Sequence, residues 1–559
     1  MKIFFPTLSF LLLTAAAVGQ SLPPAFKSAL DSVDPEEIRA HVKFLSDDLL
    51  EGRGPGTRGG EIAAKYIAAQ FEAYGLKPGG DNGTYLQQVN FVGTKTIADK
   101  THLSLIPKKP EGGMSIDLYS YDLKYGDDYT VTNRTLTPSV DVNAPIVFVG
   151  YGVVAPEFGW DDYAGVDVKG KVVLCIVGDP PSDDPKFFGG KALTYYGRWT
   201  YKFEEAARKG AVGALIIHRT DLASYGWDVV KNSNTSEKTY LQDNKDPQLA
   251  AASWIQLGVA RTLFKAANLD LDKEMEAAGK RGFKAQELPV RLQAHIESTV
   301  RKFQSPNVIG ILPGANVAQH KPDQAVLYTA HYDHLGFVPG MAGDNIYNGA
   351  ADNATGCGML LELARAWSGA KIQPPHSVIF ASVAAEEQGL LGSEYLGQHP
   401  PVPPAQIALD INYDMVLPIG VPRQVNLNGA QRTTFNPVVE ATAKRFDLAI
   451  VPDAHPEAGS YYRSDHFSLS RVGIPAFSID QGELFEGHDE AWGAEKDKAF
   501  VDHDYHNFSD NFRSEWNFAG NAKLVRFGME LGWEALSAPK NIEWLSGDEF
   551  EAARKASER

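Results

Sequence analysis

The chain has 559 residues, 43% of them hydrophobic and 22% charged, so it is globular in composition and long enough for two or more domains. A formal net charge of -17 without a basic stripe argues against nucleic acid as a partner. Two cysteines, Cys175 and Cys357, are too few for a disulfide framework, and we expect both to be small core residues.

The N-terminus has the features of an export signal. Lys2 precedes an apolar run over residues 3–18, and the small residues Ala17 and Gly19 stand where a signal peptidase cleaves. We therefore predict a signal peptide at residues 1–19 and a secreted or periplasmic protein. An uncleaved membrane anchor is the alternative, but the run is shorter than the ~20 residues of a spanning helix. No later segment is apolar enough to span a membrane, so we expect no stable membrane insertion after cleavage.

Two amphipathic helices are predicted after the signal, within residues 35–53 and 59–78, because apolar residues recur there at helical spacing. Between residues 121 and 299 the sequence pattern changes and predicts apolar strands bounded by Gly and Pro, such as "KGKVVLCIVGDPP" and "AVGALIIHR". We predict that 121–299 is an inserted, β-rich domain. It separates an N-terminal part, residues 20–120, from the main part, residues 300–559.

From Pro306 onward, apolar strands alternate with helices up to the helix "NAKLVRFGMELGWEALS". This pattern predicts an α/β fold with a mostly parallel, mixed sheet that helices cover on both faces. Ligands of such sheets bind beyond the carboxyl ends of the strands. We therefore expect functional residues where the strands end.

Three of the predicted strands end in acidic groups or imidazole. The first ends at His331 and Asp333, the second at Glu386 and Glu387, and the third at Asp414. Carboxylates crowded into one crevice repel each other, and a divalent metal is the simplest remedy. Histidine and carboxylate ligands without cysteine suit zinc, although they also admit cobalt or manganese.

Two further motifs complete a set of ligands. The loop "GAADNATGCG" supplies Asp352, and "DYHNFSD" supplies His506, which together make a set about right for two metals. A shared Asp352 could bridge the pair. Because neighbours in an extended chain point in opposite directions, one residue of Glu386-Glu387 can hold metal while the other acts as general base.

Each motif alone is weak, because His-x-Asp and Glu-Glu are usually surface groups and Asp352 could be a helix cap. A metal site is predicted because all of these motifs occur in order along one α/β pattern. The other histidines near these motifs or later in the chain are interpreted as having no functional role: His334, His455, His488 and His503.

The motifs "HYDHLG", "GAADNATG", "AAEEQGLLGS", "NYDMV" and "YHNFSD" resemble those of the co-catalytic zinc exopeptidases. This family includes secreted bacterial aminopeptidases, glutamate carboxypeptidase and the transferrin receptor ectodomain. The insert resembles a protease-associated domain. The resemblance implies a zinc-exopeptidase fold and two Zn²⁺ ions per chain. His331 and His506 would bind the first zinc, Asp352 would bridge, and Glu387 with Asp414 would bind the second.

The resemblance also implies roles for three more residues. Glu386 would be the general base, Asp333 would hold the ring of His331, and Tyr505 would help to polarise the scissile carbonyl. The departures from the family pattern are Ala351, where an acidic residue is common, and "NYDMVLP", which lacks the expected glycine or asparagine. Both changes would alter the pocket without removing metal.

The leading hypothesis is an exported aminopeptidase acting on peptides with a free N-terminus, because an acidic site favours an ammonium group. A carboxypeptidase of the glutamate type would need arginines to bind a carboxylate, and only Arg463 in "YYRSDHF" stands out. A single-zinc glutaminyl cyclase and a non-catalytic binding ectodomain are further alternatives, and the full ligand set disfavours both. The sequence leaves the oligomeric state open.

Overall fold

The structure is a computed structural model. It describes residues 22–108, 120–184, 186–223, 225–318 and 324–558. The predicted signal peptide lies outside the described residues. Within these ranges, none of the helices combines the length and the apolar character needed to cross a membrane.

Strands and helices alternate along much of the chain. The strands of three or more residues in the described ranges are β1 (Leu86–Thr96), β2 (His102–Pro107), β3 (Tyr129–Thr132), β4 (Ser139–Phe148), β5 (Val172–Ile176), β6 (Gly213–Ile217), β7 (Lys238–Leu241), β8 (Ala251–Ile255), β9 (Gln286–Leu312), β10 (Ala325–His331), β11 (Val378–Val383), β12 (Ile407–Asn412), β13 (Gln424–Asn426) and β14 (Ala476–Ser478). The α-helices in the same ranges are α1 (Pro24–Asp31), α2 (Pro35–Leu45), α3 (Arg58–Ala73), α4 (Trp199–Arg208), α5 (Thr220–Ala223), α6 (Trp227–Thr235), α7 (Leu257–Ala266), α8 (Leu271–Ala278), α9 (Ala315–Ala318), α10 (Thr355–Gly369), α11 (Leu391–Gln398), α12 (Asn436–Arg445), α13 (His466–Arg471), α14 (Glu490–His503), α15 (Ala519–Leu536) and α16 (Glu551–Ser557).

The main sheet has the strand order β14-β12-β10-β11-β9, with β1 paired to β9. Strands β14, β12, β10 and β11 run parallel, whereas β9 runs antiparallel to both β11 and β1. All seven residues of β10 are buried, as expected for a central strand covered on both faces. The predicted α/β fold with a mostly parallel, mixed sheet is confirmed.

Helices cover both faces of the main sheet. On one face α2, α3, α10 and α15 form a core that includes Phe71, Leu361 and Phe527. On the other face α11 and α13 contribute Leu396 and Leu469 to a smaller cluster. Helix α2 begins at Pro35, where the first predicted helix begins, and Asp34 caps it by accepting the N–H of Glu36. The helix ends at Leu45, before the predicted end at residue 53, and a 3-10 helix follows at Asp48–Arg53.

A second sheet has the strand order β9-β4-β5-β6-β8-β3 and its own hydrophobic clusters. Apart from β9, its strands come between β1 and β9 in the sequence. Strand β9 has 27 residues and belongs to both sheets, so the predicted boundary at residue 299 falls within one continuous strand. Strand β2, which precedes residue 121, also pairs with β9 here. Both cysteines are buried and free, as expected.

The second sheet and its helices contact the main part through aromatic and charged groups. The rings of Tyr195 and Phe467 lie 5.2 Å apart, and Arg471 forms an ion pair of 3.6 Å with Glu204. The N–H of Leu193 donates to a carbonyl oxygen in the loop before α13. These contacts bring the inserted part close to the ends of the parallel strands.

Candidate metal centre

The predicted site residues meet at the carboxyl edge of the main sheet. Strand β10 ends at His331, β11 ends three residues before Glu386, and β12 ends two residues before Asp414. Because β12, β10 and β11 are parallel neighbours, these ends lie side by side. His331 is 1% exposed, so its imidazole faces the interior of the crevice.

The loop before α10 carries Asp352 into the same crevice. The buried carboxylate of Asp510 accepts the N–H groups of Ala351 and Asp352 at 2.8 and 3.0 Å. Burial raises the pKa of Asp510 to about 6. Sequence reasoning did not single out Asp510, although it belongs to the same "YHNFSD" motif as His506. By holding the Asp352 loop, Asp510 brings these two motifs together.

A first group of possible ligands surrounds His331. Its Nε2 lies 3.4 Å from Oδ1 of Asp352 and 3.2 Å from Oδ1 of Asp414. The second oxygen of Asp414, Oδ2, accepts a hydrogen bond of 2.6 Å from the hydroxyl of Ser464. That bond orients Asp414 with its Oδ1 toward His331.

A second group surrounds His506. Its Nε2 lies 3.2 Å from Oδ2 of Asp352 and 3.0 Å from Oε2 of Glu387. Asp352 therefore divides its two oxygens between the groups, as a bridging ligand would. The pairing within the groups differs from the expected one, because Asp414 joins His331 and Glu387 joins His506. The loop that carries His506 approaches Glu387 and Oδ2 of Asp352. The order of the strands alone does not determine the path of this loop.

The donor atoms fit metal ions of the size of zinc. Zinc–ligand bonds of about 2.1 Å in a tetrahedron separate neighbouring donors by about 3.4 Å. The distances from His331 and His506 to their carboxylate oxygens are 3.0–3.4 Å. Each group joins one imidazole nitrogen to two carboxylate oxygens, which is a zinc-type donor set. Among the described residues, two sets of three donors have ligand atoms within 4.8 Å of one another: His331 with Asp352 and Asp414, and His334 with Asp352 and Glu387. The second of these sets contains His334 in place of His506.

The neighbours Glu386 and Glu387 have opposite electrostatic environments. Burial raises the pKa of Glu386 well above its usual range, with His331 opposing and Glu387 adding to the rise. For Glu387 burial also acts upward, but His506 and His334 hold the pKa down at about 2. Adjacent carboxylates with separated pKa values are typical of residues that serve different roles.

Asp333 and Tyr505 both lie beside the donor groups, and each was expected to have a supporting role. The carboxylate of Asp333 lies 3.9 Å from Nδ1 of His331, too far for a hydrogen bond. Instead, Nδ1–H donates to the carbonyl oxygen of Asp333 at 3.2 Å, and the carboxylate accepts the N–H of Glu386 at 3.0 Å. The carboxylate of Asp333 thus supports the backbone of Glu386, and its carbonyl oxygen supports the imidazole ring. Tyr505 stacks on His506 with ring centroids 3.9 Å apart, and its action on substrate stays a prediction.

A buried arginine fixes the two loops that carry the ligands. The guanidinium of Arg53 donates to the carbonyl oxygens of Tyr332 at 2.7 Å and of Asn348 at 2.5 Å. It also donates to Gly349 at 2.8 Å and to Leu45 at 2.5 Å. The side chain is 1% exposed, and burial lowers the pKa of Arg53. The sequence offered no signal for this long-range contact.

His334 was set aside on sequence grounds, yet it is fully buried in the centre. Its Nδ1 lies 2.6 Å from Oε1 of Glu387. Its position three residues after His331, just beyond a strand end, was the available signal. By contrast, His455 and His503 are exposed, and His488 stacks on Trp492.

Comparisons with known proteins identify relatives of the part of the chain that carries the site. Residues 307–526, which contain all five expected ligands, match peptidase family M28, so the predicted resemblance is confirmed. Leupeptin-inactivating enzyme 1 of Streptomyces exfoliatus is 30% identical over 247 residues, 42% of this chain and 51% of that protein. Aminopeptidase YwaD of Bacillus subtilis is 34% identical over 113 residues, 20% of this chain and 21% of that protein. The chain thus matches about half or less of the length of these relatives.

A solved structure shares the fold across nearly the whole chain. The aminopeptidase from Aneurinibacillus sp. strain AM-1 superposes with a TM-score of 0.51 at 19% sequence identity. The match covers 91% of this chain and 96% of that one. The inserted part is therefore included in the shared architecture.

Proposed function

We propose that this chain, whose residues 307–526 match peptidase family M28, is an exported aminopeptidase that uses two zinc ions. One observation carries the proposal: Asp352 turns one oxygen toward His331 and Asp414 and the other toward Glu387 and His506. A complete bridged donor set, with a further carboxylate beside it, disfavours a single-zinc glutaminyl cyclase or a non-catalytic ectodomain.

The proposed ligands form two zinc positions. His331, Asp352 and Asp414 would hold one zinc, and Asp352, Glu387 and His506 the other. When bound, the zinc ions would supply positive charge that lowers the pKa of a water molecule and stabilises negative charge on the scissile carbonyl.

Glu386 is the proposed general base. Its Oε2 lies 3.9 Å from Nε2 of His331, beside the donor set. The carboxylate takes the proton from the attacking water and delivers it to the leaving amine. Asp333 fixes the backbone of Glu386, and Tyr505 would donate a hydrogen bond from its hydroxyl to the scissile carbonyl.

The substrate class is proposed from a relative. YwaD of Bacillus subtilis is an aminopeptidase by name, and we propose the same class of substrate here, a peptide with a free N-terminus. Export is proposed from the N-terminal sequence. The inserted part, proposed as a protease-associated domain, contacts the main part near α13 and would restrict access to the crevice.

The test compares leucyl-anilide with N-acetyl-leucyl-anilide, using the zinc-loaded chain from Gln20 onward. We expect cleavage of the free-amine substrate only, with loss of activity in chelator. Glu386→Gln should retain zinc and lose activity by about 10²–10⁴-fold. Equal cleavage of both substrates would contradict recognition of the amine, and full activity of Glu386→Gln would contradict the assigned base.

A second candidate, a carboxypeptidase, has one observation in its favour. Arg198 of the inserted part lies within electrostatic reach of Arg463 and Glu386, and burial followed by Arg463 lowers the pKa of Arg198 to about 10. Two arginines near the proposed base could bind a carboxylate. Cleavage of N-acetyl-leucyl-glutamate, which has a free carboxylate and a blocked amine, would favour this candidate over the aminopeptidase.

A further inference from the structure

The side chain of Glu387 uses its two oxygens for different partners. Oε2 faces Nε2 of His506 at 3.0 Å, in the position of a metal donor. Oε1 lies 2.6 Å from Nδ1 of His334. The imidazole of His334 is fully buried, and the side chain of Glu387 is 3% exposed. Water therefore does not replace this hydrogen bond easily.

The ring of His334 is held firmly in place. Gly349, with a left-handed φ of +57°, lies against it, and a Cβ at that position would be 2.6 Å from Cγ of His334. The ring of Tyr347 packs edge-on at 6.5 Å between centroids, and that of His506 at 5.7 Å. The loop that carries Asp352 thus fixes the imidazole against Glu387.

The donor of the hydrogen bond between His334 and Glu387 follows from the chemistry of the two groups. A carboxylate oxygen accepts, so Nδ1 of His334 carries the hydrogen that is directed at Oε1. In many metal sites a carboxylate orients a ligating histidine. Here the relation is inverted, because a histidine orients a ligating carboxylate. A carboxylate held at one oxygen offers the other as a single, directed donor.

We propose that His334 is a positioning residue of the second metal, because its Nδ1–H holds Oε1 of Glu387 and leaves Oε2 for the metal shared with His506. This inference rests on the proposed metal function. The alternative is that Nε2 of His334, which is buried and lacks a hydrogen-bond partner, binds metal directly.

The experiment measures the affinity of each of the two metal positions by titrating the metal-free protein with Co²⁺ and following absorbance. In His334→Ala we expect the second position to weaken by about 10–100-fold while the first changes little. In His334→Asn the amide N–H can occupy the place of Nδ1–H, so we expect affinity within a few-fold of wild type. The exposed His455→Ala is the matched control for general loss of a histidine.

Each outcome separates the possibilities. Wild-type affinity at both positions in His334→Ala would overturn the positioning role. Equal loss of the second metal in His334→Ala and His334→Asn would also overturn it, because that pattern identifies His334 as a direct ligand. If His334→Ala does not fold, as circular dichroism would reveal, His334→Asn still decides, since the positioning role requires that its second metal be kept. Failure of wild type to bind any metal would overturn the metal function as well, whereas binding of two metals without peptidase activity would remove only the proposed reaction.

Discussion

Replacing Arg53 with methionine should both destabilise the protein and weaken its hold on metal. The substitution keeps a long apolar stem but removes a guanidinium that donates four hydrogen bonds of 2.5–2.8 Å to buried carbonyl oxygens. Three of those carbonyls, in Tyr332, Asn348 and Gly349, belong to the loops that carry His331 and Asp352. The loops would therefore lose their common anchor.

The magnitude follows from the contacts. A hydrogen bond from a charged donor contributes about 1.5–3 kcal/mol, and each buried acceptor left without a donor costs about 1–3 kcal/mol. These contributions are not additive because the loops relax, so we expect a net loss of roughly 3–5 kcal/mol in the free energy of unfolding. Folded proteins have about 5–15 kcal/mol in total. Arg53→Met would therefore be close to the limit of stability.

The assay is urea unfolding of the metal-free protein, followed by circular dichroism, together with Co²⁺ titration. Arg58→Met is the matched control, because the side chain of Arg58 is exposed and forms an ion pair with Glu51. The control should change stability by less than about 0.5 kcal/mol. If Arg53→Met were as stable as Arg58→Met and bound metal equally well, the anchoring role of Arg53 would be refuted.

Three further predictions concern the ligands and the pH dependence of stability. Asp352→Asn should lower the zinc content, measured by mass spectrometry of the native protein, from two ions to fewer than one, because both groups share its charge; retention of two would refute bridging. Ser464→Ala should weaken the first Co²⁺ position about tenfold by releasing Oδ2 of Asp414, and unchanged titration would contradict this. Burial, followed by Arg365, lowers the pKa of His41 to about 4. Unfolded chains therefore take up a proton below about pH 6.5 that the folded state does not bind, and stability falls from that pH down to about 4. Between pH 7 and 4, the free energy of unfolding of His41→Gln, measured with urea, should fall by about 3 kcal/mol less than that of wild type. An equal fall in both proteins would contradict the low pKa of His41.

The sequence predicted most of what depends on local pattern. Continuous apolar runs identified the parallel strands β10, β11 and β12, and polar residues just beyond them identified His331, Glu387 and Asp414. These side chains meet in the structure because neighbouring parallel strands end at the same edge of the sheet.

The errors arise where distant segments meet. The pairing of His506 with Glu387 depends on the path of the loop after α14, and the anchor at Arg53 depends on contacts with residues about 280–300 positions away. Helix α14 itself was not predicted, because Gly493 and Phe500 are its buried residues and they do not form an apolar stripe. Strand β9 continues through Pro306, which is usually a sign that a strand begins or ends.

Anomalous X-ray scattering at the zinc edge, from crystals of the zinc-loaded protein, tests directly whether Asp352 bridges a pair of zinc ions. We predict two peaks, about 3.5–4 Å apart, on either side of the Asp352 carboxylate. One peak should lie against His331 and Asp414, and the other against Glu387 and His506. A single peak, or two peaks that do not share Asp352, would contradict the account.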